Sequence, residues 1–178
     1  SLFKKEKELE IWDKPLCING LSLWKKRETF MNSFINLFLK TVTDFDEKLL
    51  LNVKYDLKIK VNKEFLKKIK ENRDIDLAKK YTSFGPHKDD VVFLWNNQKI
   101  KNHGSQGEHK IFLALLKITE YIFLSNKTKK TPIFLIDDMF ANLDKERSKK
   151  LLRFIEKIKN KNKEKSQTII TTTNIVNI

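Results

Sequence analysis

Asp137 and Asp138 stand side by side at the end of the apolar run Ile133-Phe134-Leu135-Ile136, and no other pair in the sequence is better placed to do chemistry. Successive side chains on a strand point to opposite faces, so one carboxylate can hold Mg²⁺ while its neighbour handles a water. Pro132 before the run, and the absence of polar alternation within it, predict a strand of a parallel sheet buried on both faces. Ligands of such sheets sit beyond the carboxyl ends of the strands, where these two acids would be delivered. The same pair also reads as ordinary acidic turn residues closing a strand.

A second motif, Gly104-Ser105-Gln106-Gly107-Glu108, lies upstream and leads into Ile111, Phe112, Leu115, Leu116, Ile118 and Ile122 at helical spacing. Ser105 with Glu108 three residues on is a capping box, which predicts a helix start at this point. Free N–H groups and the positive end of the helix dipole gather there, and Gly107 lets an anion approach the backbone. An ordinary capped helix would carry the same residues. More telling is the order: capped helix, apolar run, Asp137-Asp138, then Asn142-Leu143-Asp144 and a further helix.

In that order the sequence resembles the ATP-binding-cassette ATPases, with Ser105 to Glu108 as the signature motif, Ile133 to Asp138 as the Walker B strand and Asn142-Leu143-Asp144 as the D-loop. Within the superfamily the wording is most similar to the RecF family of bacterial recombination mediators. Glu8-Leu9-Glu10-Ile11-Trp12-Asp13, Gly85-Pro86-His87-Lys88-Asp89-Asp90 and Thr171-Thr172-Thr173-Asn174 also fall in that family's order. The resemblance implies an α/β fold, the C-terminal half of a P-loop ATPase head with parallel strands plus an inserted helical and partly stranded lobe. Residues 1–80 would be the lobe and 81–178 the head half.

By the same resemblance Asp137 meets Mg²⁺, Asp138 is the catalytic carboxylate, and Ser105, Gln106, Gly107 and Glu108 reach ATP bound by the other subunit of a dimer. Asn142 and Asp144 serve the D-loop. Where many cassette ATPases have a histidine after the next strand this chain has threonines, so Thr172 and Thr173 are the candidate γ-phosphate sensor. The implied protein is an ATP-dependent homodimer acting on DNA in repair, recombination, replication and the SOS response, with RecR and RecO-like partners. An SMC-like ATPase half, a metal nuclease and a non-enzymatic basic module are the alternatives. The first would show long heptads and the second a further cluster of carboxylates or histidines around the pair, and the sequence has neither. His87, His103 and His109 have no metal-site spacing, and His87 reads either as a phosphate contact or as the residue that closes its turn.

No G-x-x-x-x-G-K-[ST] occurs, the four glycines being Gly20, Gly85, Gly104 and Gly107. With Ser1 rather than Met at the start, the chain reads as the C-terminal part of a longer polypeptide, its Walker A half removed or supplied elsewhere. At 178 residues it can bury one core and a smaller lobe. Its charge of +14, from 37 Lys+Arg against 23 Asp+Glu, suits a phosphate-rich partner, although the lysines of 157–165 look like a solvated face. Cys17 is the only cysteine, so no disulfide framework is available, and the absence of a long apolar run or signal peptide points to the cytoplasm.

The elements that must position these residues follow from periodicity. A short helix over 2–12 is expected to be interrupted by Lys14-Pro15, with a second helix over 18–42. A strand with one wet face spans 49–61, and one or two helices follow to residue 80. Val91 to Trp95 and Gln98 to Lys101, joined by Asn96-Asn97, form a hairpin. Then come helix 105–125, strand 133–137, helix 144–159 and strand 167–173, an alternation expected of an α/β unit.

Overall fold

The computed structural model describes residues 2–56, 64–140, 143–161 and 167–172, with side chains in the first helix from Glu10 onward. The elements run α1 (Leu2–Phe45), β1 (Leu51–Asp56), α2 (Phe65–Glu71), α3 (Arg73–Lys79), a 3-10 turn (Pro86–Lys88), β2 (Asp90–Trp95), β3 (Gln98–Lys99), α4 (Ile100–His103), α5 (Gln106–Thr128), β4 (Phe134–Asp137), α6 (Lys145–Lys161) and β5 (Thr168–Thr171). The chain divides into two compact units, one of residues 1–33 and 54–92 and one of 34–53 and 93–178.

The expected break at Lys14-Pro15 does not occur, because α1 runs through Pro15. A proline inside a helix forfeits one hydrogen bond and costs about 3 kcal/mol. In the first unit that cost is met by anchors on either side of Pro15. Asp13 pairs with Arg73 of α3, both side chains being almost buried, while Cys17 and Leu21 pack on the cluster of Trp24, Phe65 and Ile69. Trp24 meets Phe65 edge to face at 4.6 Å between ring centroids. Gly20 makes that approach feasible, since a Cβ there would stand 2.6 Å from Phe65 Cε1. The expected helical stretch up to residue 80 is two short helices, α2 and α3, ended by Lys80 in the left-handed conformation (φ 59°). The extension of the first strand to residue 61 lies outside the described residues.

In the second unit α5 buries Ile111, Phe112, Leu115 and Ile118 as the periodicity predicts, together with Ala114 and Tyr121, while Leu116 and Ile122 of the predicted stripe are half-buried. Phe112 stacks at 5.3 Å on Phe38 and at 5.2 Å on Phe93, and Phe45 meets Phe154 of α6. The expected hairpin forms with Leu94 opposite Lys99 and Trp95 opposite Gln98, and Asn96 and Asn97 both adopt positive φ as a tight two-residue turn requires. Its second strand is shorter than expected, because Ile100 turns inward (5% exposed) and starts the helical turn α4.

β4 and β5 pair in parallel across the α6 crossover, with Phe134 opposite Thr168 and Asp137 opposite Thr171. The strand expected to be buried on both faces is covered on one. Ile136 is 2% exposed, whereas Leu135 is 67% and Ile133 61% exposed, and on β5 Ile169 is 46% exposed. The continuous apolar pattern is present, but among the described residues only one face of this sheet has cover.

Candidate functional site

The start of α5 is set by local chemistry. Ser105 sits at the N-cap in extended conformation, its Oγ accepts from the Glu108 N–H at 3.2 Å, and its own N–H donates to Glu108 Oε2 at 2.8 Å. The capping box read from the sequence is complete. Gly104 just before it packs so tightly that a Cβ would lie 2.7 Å from Ile100 Cγ1 and 2.8 Å from the Ile100 carbonyl oxygen. Gln106 and Gly107 are the first two residues of the helix, where backbone N–H groups have no intrahelical acceptor.

At the end of β4 the chain departs sharply from strand geometry, since Asp138 has φ 43°. A left-handed conformation is uncommon for a residue other than glycine and is here over-determined. The Asp138 N–H donates to the Thr171 carbonyl and to Thr171 Oγ1, each at 3.2 Å. Lys110 of α5 donates from Nζ to the Asp138 carbonyl oxygen at 3.2 Å. Thr171 Oγ1 in turn donates to Asp137 Oδ1, so a single hydroxyl joins the backbone of one aspartate to the carboxylate of the other. Asp137 is exposed and Asp138 half-buried.

Phe140 and Leu143, both buried, plug the following turn, and the Leu143 N–H donates to the Phe140 carbonyl. Asp144 caps α6, accepting from the Arg147 N–H at 2.8 Å and pairing with Arg147 Nε at 3.4 Å. Asn142 and Thr173 lie outside the described residues, and Thr172 follows the end of β5. The geometry thus joins Asp137, Asp138 and, through Lys110, the helix that Ser105 caps. Thr171 was read from the sequence only as part of the Thr171-Thr172-Thr173-Asn174 stretch, and its brace on Asp137 follows from the parallel register that sets the two opposite each other. Lys110 escaped sequence reading, having no signal there beyond its place on α5.

The segment Gly85 to Asp90 forms a separate knot in the first unit. Asp89 Oδ2 accepts from Trp24 Nε1 at 2.8 Å, from Arg27 Nη1 at 3.3 Å and from the Tyr55 hydroxyl. Burial first, and the hydrogen bond to Asp89 second, raise the Tyr55 pKa above its ordinary 10.0. His87 donates from Nε2 to the Thr82 carbonyl at 2.6 Å, so of its two readings the turn-closing one describes it. Among the described residues no group of three or more His, Cys, Asp or Glu could hold a metal ion, and no helix is long and apolar enough to cross a membrane.

The parallel β4–β5 pair, the capped α5 and the carboxylates leaving β4 are the architecture of an ATP-binding-cassette-type ATPase head, and solved structures of that type superpose on this chain. Within that class the chain is similar to the RecF proteins. It is 35% identical over 170 residues to the DNA replication and repair protein RecF of Lachnoclostridium phytofermentans, covering 94% of this chain and 44% of that protein. Against the protein of the same name from Chloroherpeton thalassium it is 32% identical over 177 residues, covering 93% and 47%. The fold matches structures of the recombination mediator protein RecF with ATP and with ATPrS in the RecFOR pathway, each at TM-score 0.73 and 24% identity. Those matches cover 95% and 96% of this chain, respectively, and 46% of each solved chain. The chain spans about half the length of the curated relatives it matches, and no family model matches it.

Proposed function

We propose that this chain supplies the signature helix and the Walker B carboxylates of a RecF-type ATPase, a cytoplasmic protein that dimerises with ATP on DNA at gaps or single/double-strand junctions and aids recombinase loading together with RecR and RecO-like mediators. One observation carries the reading: Lys110 ties the helix capped by Ser105 to the backbone of Asp138, while Thr171 holds both Asp138 and Asp137. A capped helix and an acidic turn with unrelated duties would not need that tie.

The donor set fits Mg²⁺. Asp137 offers an exposed carboxylate braced by a hydroxyl, and the lack of a larger ligand cluster among the described residues suits an ion that keeps waters and phosphate oxygens as its other ligands. Bound there, Mg²⁺ would neutralise charge on the β- and γ-phosphates. Asp138 acts as general base toward the attacking water, and its φ of 43° turns it out of the strand that carries Asp137. Ser105, Gln106 and Gly107 present N–H groups and a small hydroxyl to the γ-phosphate held by the other subunit, with Glu108 fixing the helix start. Asn142 and Asp144 would line the seam between subunits as the D-loop, and Thr172 with Thr173 would sense the γ-phosphate. The loop that cradles the phosphates is not in this sequence and comes from another segment, for which the uncovered face of Ile133, Leu135 and Ile169 is a suitable neighbour.

The test uses the full-length protein. Asp138→Asn should bind Mg²⁺–ATP and accumulate as a dimer on DNA without turnover. Ser105→Arg should bind ATP yet stay monomeric in size-exclusion with ATP. A Ser105→Arg protein that dimerises and hydrolyses ATP normally would reduce α5 to an ordinary capped helix and end the proposal.

A further inference from the structure

The first unit contains a cavity of 440 Å³ lined by Trp12, Leu16, Ile69, Arg73, Lys80 and Tyr81 among others, a volume inside the range of about 300–1,000 Å³ usual for small-ligand sites. Two of its rings are left in water, Trp12 at 66% and Tyr81 at 54% exposure, whereas Trp24, Phe65 and Phe84 of the same unit pack together. Both carboxylates in the lining are already engaged. Asp13 pairs with Arg73, and Asp76 accepts from the Ser83 N–H and hydroxyl. The lysines are not so engaged: Lys80 and Lys88 form no ion pair among the described residues, and Lys88 Nζ stands 4.8 Å over the Tyr81 ring. What remains on offer is therefore exposed aromatic rings with ammonium groups beside them.

We propose that this cavity binds single-stranded nucleic acid, taking a base against Trp12 and Tyr81 and the adjoining phosphates on Lys80 and Lys88. Every nucleotide sets a flat ring beside an anion, and ring-plus-cation platforms bind single strands with little regard to sequence. An acidic peptide shares the charge but is matched less well. Its main chain needs backbone partners, whereas the lining comes chiefly from α1, α2 and α3, whose helical N–H groups are internally bonded. The inference rests on nucleic acid being the substrate class of the protein, and it names one surface that meets it.

The experiment measures binding of labelled oligothymidylate, and of a duplex with the same number of phosphates, to the unaltered protein and to Trp12→Ala, Tyr81→Ala, Lys80→Ala and a control, Lys157→Ala on α6. Loss of one stacking platform should weaken oligothymidylate binding about 5- to 100-fold for each aromatic variant. The salt slope should stay unchanged in those variants and fall by about one phosphate for Lys80→Ala. Duplex binding should change far less, and Lys157→Ala should behave as the unaltered protein. Both aromatic side chains are exposed, so each variant should fold, and a circular dichroism melt of each is to be run as the control for that. If both aromatic variants bind oligothymidylate normally, or lose duplex affinity equally, the cavity is not a base site, although the ATPase reading stands. An acidic tryptophan-containing peptide that displaces the oligonucleotide and needs the same rings would make this a protein-docking surface and overturn the inference. No binding of either nucleic acid by the unaltered protein would overturn both the inference and the reading beneath it.

Discussion

Lys110, five residues beyond the Ser105 cap, donates its ammonium to the main-chain carbonyl of Asp138 at the end of β4. A charged donor on a main-chain acceptor fixes backbone more than it binds ligand. The position of Asp138 therefore depends on where α5 sits.

Replacing Lys110 with Ala should leave the fold largely intact and loosen that dependence. A hydrogen bond from a charged group contributes about 1.5–3 kcal/mol. On the proposed ATPase reading, ATP turnover by the full-length protein should drop roughly 10- to 100-fold, with ATP affinity little changed, since no phosphate-cradling loop is altered. A parallel loss of ATP binding in a nucleotide titration would show that Lys110 acts elsewhere.

Thr171→Val keeps the shape of the β5 residue opposite Asp137 and removes the hydroxyl that braces its carboxylate. Groups that orient a metal ligand typically affect metal affinity about 10- to 100-fold. If Asp137 meets Mg²⁺ as proposed, the Mg²⁺ concentration giving half-maximal turnover by the full-length protein should rise by about that factor, and Thr171→Ser should restore it. A Thr171→Val enzyme with an unchanged Mg²⁺ requirement would remove Thr171 from the site.

Gly20→Ala sets two effects against each other. Alanine gains about 1 kcal/mol of helix propensity over glycine. Its Cβ, however, would stand 2.6 Å from a Phe65 ring that is fully buried and cannot swing aside. Overpacking of a core costs typically about 1–3 kcal/mol, so the variant should be less stable by about 1 kcal/mol in urea unfolding. A stabilised variant would mean that the α1–α2 contact is looser than the structure shows.

Two groups give opposite pH signatures. The hydrogen bond from Lys150 chiefly, and that from the Lys48 N–H next, hold Asp46 below the ordinary 3.8. Its contribution is thus complete above pH 3.8 and is lost as the pH falls through the lower folded value. Tyr55 is held above 10.0, so its contribution is complete below pH 10.0 and fades as the pH rises through the higher folded value. Asp46→Asn should flatten the acid limb of the stability profile and Tyr55→Phe the alkaline limb. Identical profiles for variant and unaltered protein would refute the assignment for that residue.

What was legible in the sequence was local. Ser105 and Glu108 are three residues apart and form their capping box without help from the rest of the fold, and Asn96-Asn97 encodes its turn in two residues. The path through Pro15 was not legible, because its cost is offset by Arg73, a partner 60 residues from Asp13. Nor was the brace on Asp137, which depends on a parallel register between segments 34 residues apart. The apolar run Ile133 to Ile136 does read as strand, but a pattern of side chains records what a strand can bury and is silent on whether both covers are present.

That half-covered sheet shapes how the chain behaves in solution. Ile133, Leu135 and Ile169 put an oily surface next to water on a short parallel ribbon, a kind of surface on which like molecules stick. A charge of +14 opposes such association through mutual repulsion, and repulsion of that kind is screened within about 10 Å at 0.1 M salt. Colloidal behaviour of the isolated chain is thus set by a contest between greasy surface of this kind and many lysines. Concentrated salt, commonly added to keep nucleic-acid-binding proteins dispersed, should here drive clumping instead.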